Sequence, residues 1–118
     1  MLTVVIYPKC STCKNAVLWL EEMNVKFKVR HIVEEALSSK EIAKIHEGSG
    51  LPLKNFFNTS GVLYKELGLK NKINEMTEFE CYDLLGNNGM LVKRPLIYDG
   101  KGKVTLGFNK EVYEKTWK

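Results

Sequence analysis

No apolar stretch in this chain approaches the roughly 20 residues that a membrane-spanning helix requires, so no membrane partner is expected. The opening MLTVVIYPK carries no basic flank ahead of its apolar run and no small-residue cleavage site. It does not read as a signal peptide, and a cytoplasmic protein is predicted. Cysteine is scarce and odd in number, three in 118 residues, which argues against the disulfide framework that staples small secreted domains. Blocks of like charge are missing as well. Lys and Arg number 18 against 14 Asp and Glu, a net +4, but the lysines are scattered along the whole chain. Nucleic-acid binding needs clustered charge, so no direct nucleic-acid partner is expected. Repeats, low-complexity tracts and linkers are also absent. A chain of this length buries one core and little more, so residues 1–118 read as one domain.

What is present is ordinary globular composition with a clear order of elements. Leu2-Thr3-Val4-Val5-Ile6-Tyr7 is β-branched and mostly apolar, a buried strand stopped by Pro8. From Ser11 to Asn24 the apolar positions Cys13, Ala16, Val17 and Leu20 fall at helical spacing, with Lys14, Asn15, Glu21 and Glu22 opposite. Phe27, Val29, His31 and Val33 alternate with Lys28 and Arg30, a second strand. Strand, helix and strand in so short a span predict a parallel pair with a right-handed crossover.

A helical middle follows. Ser38 with Glu41, and Thr77 with Glu80, have capping-box spacing. The first is followed by Ile42 and Ile45, the second sits among Phe79, Tyr82, Leu84 and Leu85. Between them short helices are broken at Asn58–Gly61 and at Gly68. "LVKRPLIYDGKGKVTLGF" then gives two strands joined at Asp99-Gly100-Lys101-Gly102, and Asn109 caps a last short helix. The order β-α-β, helices, β-β, α is that of an α/β, thioredoxin-like fold. It has a mixed four-stranded sheet, flanking helices and a helical insertion after the second strand.

The chemistry sits in Cys10-Ser11-Thr12-Cys13. A structural zinc site needs four ligands, usually two such pairs. Beyond the first pair the chain offers only Cys81, His31 and His46, none in a ligand-like doublet, so no metal and no cofactor are expected. Simple packing accounts for Cys13, on the apolar face of the first helix, and for Cys81, beside Leu84. It accounts poorly for Cys10, which lies in the strand-to-helix turn. There its side chain meets the free N–H groups and the positive end of the helix dipole, where thiolates are stabilised. Cys13, one turn on, is within reach as a resolving thiol. A redox pair is the favoured reading.

Lys93-Arg94-Pro95-Leu96 opens the third strand. Proline there can be mere strand punctuation, but in a thioredoxin-type fold this proline is cis and faces the CxxC loop. That places Arg94 beside the thiolate, able to stabilise it and to bind an anion that the thiolate attacks.

With "YPKCSTCKNAVLWLEE", "FFNTSGVLYKELGL" and "GMLVKRPLIYDGK" in this order, the chain resembles the ArsC/Spx family of thioredoxin-fold proteins. The resemblance implies that Cys10 is the nucleophile, Arg94 the arginine beside it and Pro95 the family's proline. Cys13 matches the second cysteine of the Spx-like redox switch, where single-cysteine arsenate reductases have serine. Ser11, Thr12 and Asn58 are the implied substrate contacts. Those reductases carry further arginines at about Asn58 and Gly107, so much of the cationic pocket is missing here. Two functions follow from the resemblance. One is a thiol–disulfide oxidoreductase or ArsC-like reductase, acting on a small-molecule or protein disulfide. Glutaredoxin, thioredoxin or a low-molecular-weight thiol would return its electrons. The other is a Spx-like redox-sensing regulator that docks on the C-terminal domain of the RNA polymerase α subunit.

Overall fold

A computed structural model describes residues 1–118. Strand β1 (Leu2–Ile6) pairs in parallel with β2 (Phe27–His31) across helix α1 (Ser11–Glu22). After the helical insertion the hairpin β3 (Leu96–Tyr98) and β4 (Val104–Leu106) returns antiparallel to β1. The sheet is therefore mixed and four-stranded, in the order β2-β1-β3-β4. Helix α6 (Lys110–Thr116), capped by the Asn109 side chain, closes the chain.

Side chains alternate across a sheet, and here the alternation divides the core in two. Val4 and Ile97 face α1 and α6, where they pack with Ala16, Trp19, Leu20, Tyr113 and Trp117. Val5 and Leu96 face the insertion and meet Ile42, Phe56, Phe57, Tyr82 and Leu85. Each fully buried Leu, Ile or Phe stabilises the fold by about 1.5–3 kcal/mol over an exposed one. The insertion comprises α2 (Ser39–Ser49), α3 (Val62–Glu66), α4 (Leu69–Lys72) and α5 (Glu78–Asn87), with short 3-10 turns between. Both expected capping boxes form, Ser38 with Glu41 on α2 and Thr77 with Glu80 on α5. Gly86 of α5 packs so closely on the start of α2 that a Cβ there would lie 2.8 Å from the Ser39 nitrogen.

Three expectations are corrected by packing. Phe79 does not join the core and is 80% exposed. It falls in the first turn of α5, on the far side from Cys81, Tyr82 and Leu85, which carry the buried face. On α1, Trp19 is buried and Val17 only partly so. The Tyr113 ring of α6 stands edge-on to Trp19 at 5.4 Å and extends the covered face to that side. The second strand stops at His31 rather than Val33, because the His31 Nδ1 accepts the amides of Val33 and Glu34, both at 3.1 Å, and turns the chain out of the sheet.

The turn after β2 is held by Arg30. Its Nη1 and Nη2 grip the Glu41 carboxylate at 2.6 and 3.0 Å, and its Nε donates to the Glu35 carbonyl at 2.6 Å. The Arg30 hydrogen bonds, with help from the Ser38 amide, hold the Glu41 carboxyl at about 2, well below its ordinary 4.5. A carboxyl lowered on folding stabilises the fold above its unfolded pKa, and that stability is lost as pH falls through the folded one. Thermal stability should therefore drop between about pH 4.5 and 2. Glu41→Gln keeps the capping box but removes the charge, so its midpoint should vary less across that window. An unchanged slope, read by circular dichroism, would show that other carboxylates set the acid limb.

Candidate functional site

The turn Tyr7-Pro8-Lys9-Cys10 leaves β1 and is closed by the Cys10 amide donating to the Tyr7 carbonyl at 3.0 Å. Cys10 is then the N-cap of α1, in extended conformation (φ −92°, ψ 111°), a position that Ser, Thr, Asp or Asn usually fill. Its sulfur does the work of their oxygens by accepting the Cys13 amide at 3.3 Å. No acidic side chain stands in the first turn of α1, so the positive end of the helix faces this sulfur uncompensated.

The two thiols are unequal. Cys10 is half-buried, whereas Cys13 is buried with 1% exposure beneath it. Burial first, and the Cys10 sulfur second, push the Cys13 thiol up from 9.0 to about 12. The Tyr7 backbone and the Arg94 charge oppose that rise.

Cys10 opens onto a depression of about 380 Å³ lined by Thr12, Asn58, Lys93, Arg94, Gly107 and Phe108. Each wall has an identifiable support. Phe57 bridges to Val92, and the Asn58 amide donates to the Leu91 carbonyl at 2.6 Å, which brings the insertion to the rim. The Arg94–Pro95 bond is cis, and Pro95 is buried. The Pro95 carbonyl accepts the Gly107 amide at 2.9 Å, while the Gly107 carbonyl accepts the Tyr113 hydroxyl at 2.7 Å. Gly107 has φ +78°, a left-handed conformation that glycine adopts without the Cβ penalty. Burial pushes the Tyr113 phenol up, so it remains a neutral donor.

Thus the sequence-nominated Cys10, Thr12, Asn58 and Arg94 meet at one depression, with Cys13 below and Pro95 behind. Ser11 is exposed and does not line it. Lys93 and Phe108 line it without having been nominated. Lys93 had a signal in its place next to Arg94, while Phe108 had none.

Arg94 shares the depression with Cys10. It makes no hydrogen bond to the Cys10 sulfur. Its Nη1 donates to the carbonyls of Val92 at 3.0 Å and Met90 at 3.4 Å, and its guanidinium carbon stands 5.7 Å from the centre of the Tyr7 ring. Nε is buried with no protein partner, which ordinarily costs about 1–3 kcal/mol. These contacts fix the guanidinium at the wall of the depression onto which Cys10 opens. Two cations and no carboxylate line this surface, so it favours anions.

The sequence matches the ArsC family over residues 5–116. The chain belongs to the ArsC family. Among relatives of this ArsC-family chain, Bacillus subtilis YusI is 49% identical over 98% of each chain. The global transcriptional regulator Spx of Streptococcus mutans is 28% identical, over 94% of this chain and 79% of its own. The crystal structure of a possible arsenate reductase from Streptococcus mutans is 41% identical with a TM-score of 0.86, covering 92% of both chains. The thioredoxin-like fold predicted from the order of elements is that of these ArsC-like structures. No helix of this family member is long and apolar enough to cross a membrane.

Proposed function

We propose that this ArsC-family chain is a thiol–disulfide oxidoreductase with Cys10 as nucleophile and Cys13 as resolving thiol. The supporting observation is the asymmetry of the pair, an accessible N-cap sulfur over a buried thiol held at about 12. The Cys10 thiolate attacks one sulfur of a disulfide R–S–S–R′, forming Cys10–S–S–R and expelling R′–S⁻, which takes up a proton. Cys13 then loses its proton and attacks the Cys10 sulfur, expelling R–S⁻, which is protonated in turn. Two electrons pass from the dithiol to the substrate, and the protein is left with a Cys10–Cys13 disulfide. A thiol system such as glutaredoxin, thioredoxin or a low-molecular-weight thiol reduces it again.

Arg94 and Lys93 provide charge for an anionic substrate. Asn58 and Gly107 occupy the places where the resemblance to arsenate reductases calls for arginines, so a disulfide fits this depression better than arsenate. Alkylation of the reduced protein at pH 7, followed by mass spectrometry, tests the assignment. Cys10 should be modified first. Faster labelling of Cys13 or Cys81 would overturn it. A redox titration should also give one two-electron transition that Cys81→Ser leaves in place.

The relation to Spx supports a second reading, in which the same thiol pair senses oxidation for a regulator bound to the RNA polymerase α subunit. Retention of the polymerase by the immobilised protein, with loss on Cys10→Ser or on a change of redox state, would favour the regulator over the enzyme.

A further inference from the structure

The outer edge of the sheet beside the Cys10 depression is open. Strand β4 is terminal in the sheet, and its register with β3 sets which of its groups are used. Gly107 donates to Pro95 and Asp99 donates to Lys103, so residues 103, 105 and 107 turn their amides and carbonyls toward β3. By the alternation of an antiparallel ladder, Val104 and Leu106 turn theirs outward, where neither has a hydrogen-bond partner. Such an edge is a template for another strand, and this one carries no proline to block pairing.

It also has walls. A groove of about 610 Å³ runs along β4, with Leu51 and Phe57 on the insertion side and Val112 and Thr116 of α6 on the other. Lys54 and Lys93 add positive charge, neither is ion-paired, and no carboxylate lines the groove. Lys93 lines the Cys10 depression as well. So do Gly107 and Phe108, the residues that continue β4.

We propose that this groove binds an extended, acidic polypeptide segment as a fifth strand on β4, delivering a disulfide-bonded cysteine of a protein substrate to Cys10. Main-chain bonds to Val104 and Leu106 hold the segment. Its side chains alternate between the Leu51–Phe57 wall and the α6 wall, and its carboxylates meet Lys54 and Lys93. A strand following β4 toward Gly107 advances about 3.3 Å per residue, so a cysteine just beyond the paired stretch lies over the depression. The exchange is the one written above, with R the segment's cysteine. The inference rests on that redox reading for its chemistry but not for its binding.

The test uses the unaltered protein and a synthetic ten-residue peptide of alternating Val and Glu with one central residue varied. With serine at the centre, the Val104 and Leu106 amides should become protected from hydrogen exchange in NMR spectra. With the central cysteine as a 2-thiopyridyl disulfide, Cys10 should react about tenfold faster than with the same disulfide of a capped single cysteine. That is the gain of about two net main-chain hydrogen bonds. N-methylation of alternate peptide residues should abolish the gain, and Lys in place of Glu should reduce it. Equal rates for peptide and capped cysteine, with no added protection, would overturn the groove and leave the redox reading standing. Protection by the serine peptide with no reaction at Cys10 would uphold the groove and overturn the redox reading. Protection of the same amides by raising the protein concentration alone would replace the substrate with a second copy of this chain.

Discussion

A Cys13→Ser protein given a disulfide substrate is expected to stop half-way, with the substrate held on Cys10, while Cys10→Ser should not react. The difference follows from the thiolate each mutant can present. Only the thiolate attacks, and burial, the largest cause that raises the Cys13 thiol, persists when Cys10 becomes serine, so little of Cys13 is ionised at pH 7. It cannot replace Cys10. Cys81 is no better placed, since burial, then Glu80 and Glu78, push it up inside α5. Cys10→Ser should therefore lose at least about tenfold in exchange rate, since a thiol held above 9.0 is almost wholly protonated at pH 7, and the loss should be the same with or without Cys81.

The same asymmetry orders the second step. Part of what raises Cys13 comes from Cys10 itself, and that part disappears once the Cys10 sulfur is tied in a mixed disulfide. Burial, the larger cause, stays. Closure of the Cys10–Cys13 bond should consequently quicken about tenfold per pH unit from 7 to 9, as the Cys13 thiolate becomes less rare. Stopped-flow release of the second thiol measures it. A rate flat in pH would mean that a movement of the first turn of α1, not loss of the Cys13 proton, limits closure.

Local chemistry was legible in the sequence where its partners were near in the chain. Ser38 with Glu41 and Thr77 with Glu80 are complete within four residues, and both boxes form as read. The Cys10 turn is of the same kind, because strand, proline and helix sit in a single run. What could not be read depends on covering by distant segments. Trp19 is buried because Tyr113 reaches it, and Phe79 is exposed because nothing in the insertion covers the outer face of the first turn of α5. Neither contact leaves a trace in local periodicity. The site divides the same way. Cys10 and Arg94 stand out by residue type and setting, but Phe108 enters the depression only through the Gly107 turn, which Pro95 and Tyr113 fix from two different elements. The bonds of Arg94 to Val92 and Met90 span only two and four residues, but they depend on the turn that this segment adopts. A sequence can nominate a cation for a site, but the carbonyls competing for it belong to the folded turn.

Those bonds set the outcome expected for Arg94→Ala. The guanidinium holds two main-chain carbonyls and stands near the Tyr7 ring, so its removal should cost about 1–2 kcal/mol of stability, given that water can replace it at the exposed Met90 contact. The larger effect belongs to substrate charge. A charge-assisted contact contributes about 1.5–3 kcal/mol, so reaction of Cys10 with a dianionic aryl disulfide should slow by about tenfold to a hundredfold. A neutral dipyridyl disulfide should lose much less. Arg94→Lys should recover part of the anionic rate, because a point charge replaces the planar fork, and Lys93→Ala should weaken the same preference. Salt separates the two contributions: raising it should narrow the gap between the disulfides in the unaltered protein and narrow it less in the Arg94→Ala protein, where only Lys93 remains. If Arg94→Ala slowed both disulfides equally, the arginine would be acting by positioning the Met90–Val92 turn. The anion preference of the depression would then have to come from Lys93 alone.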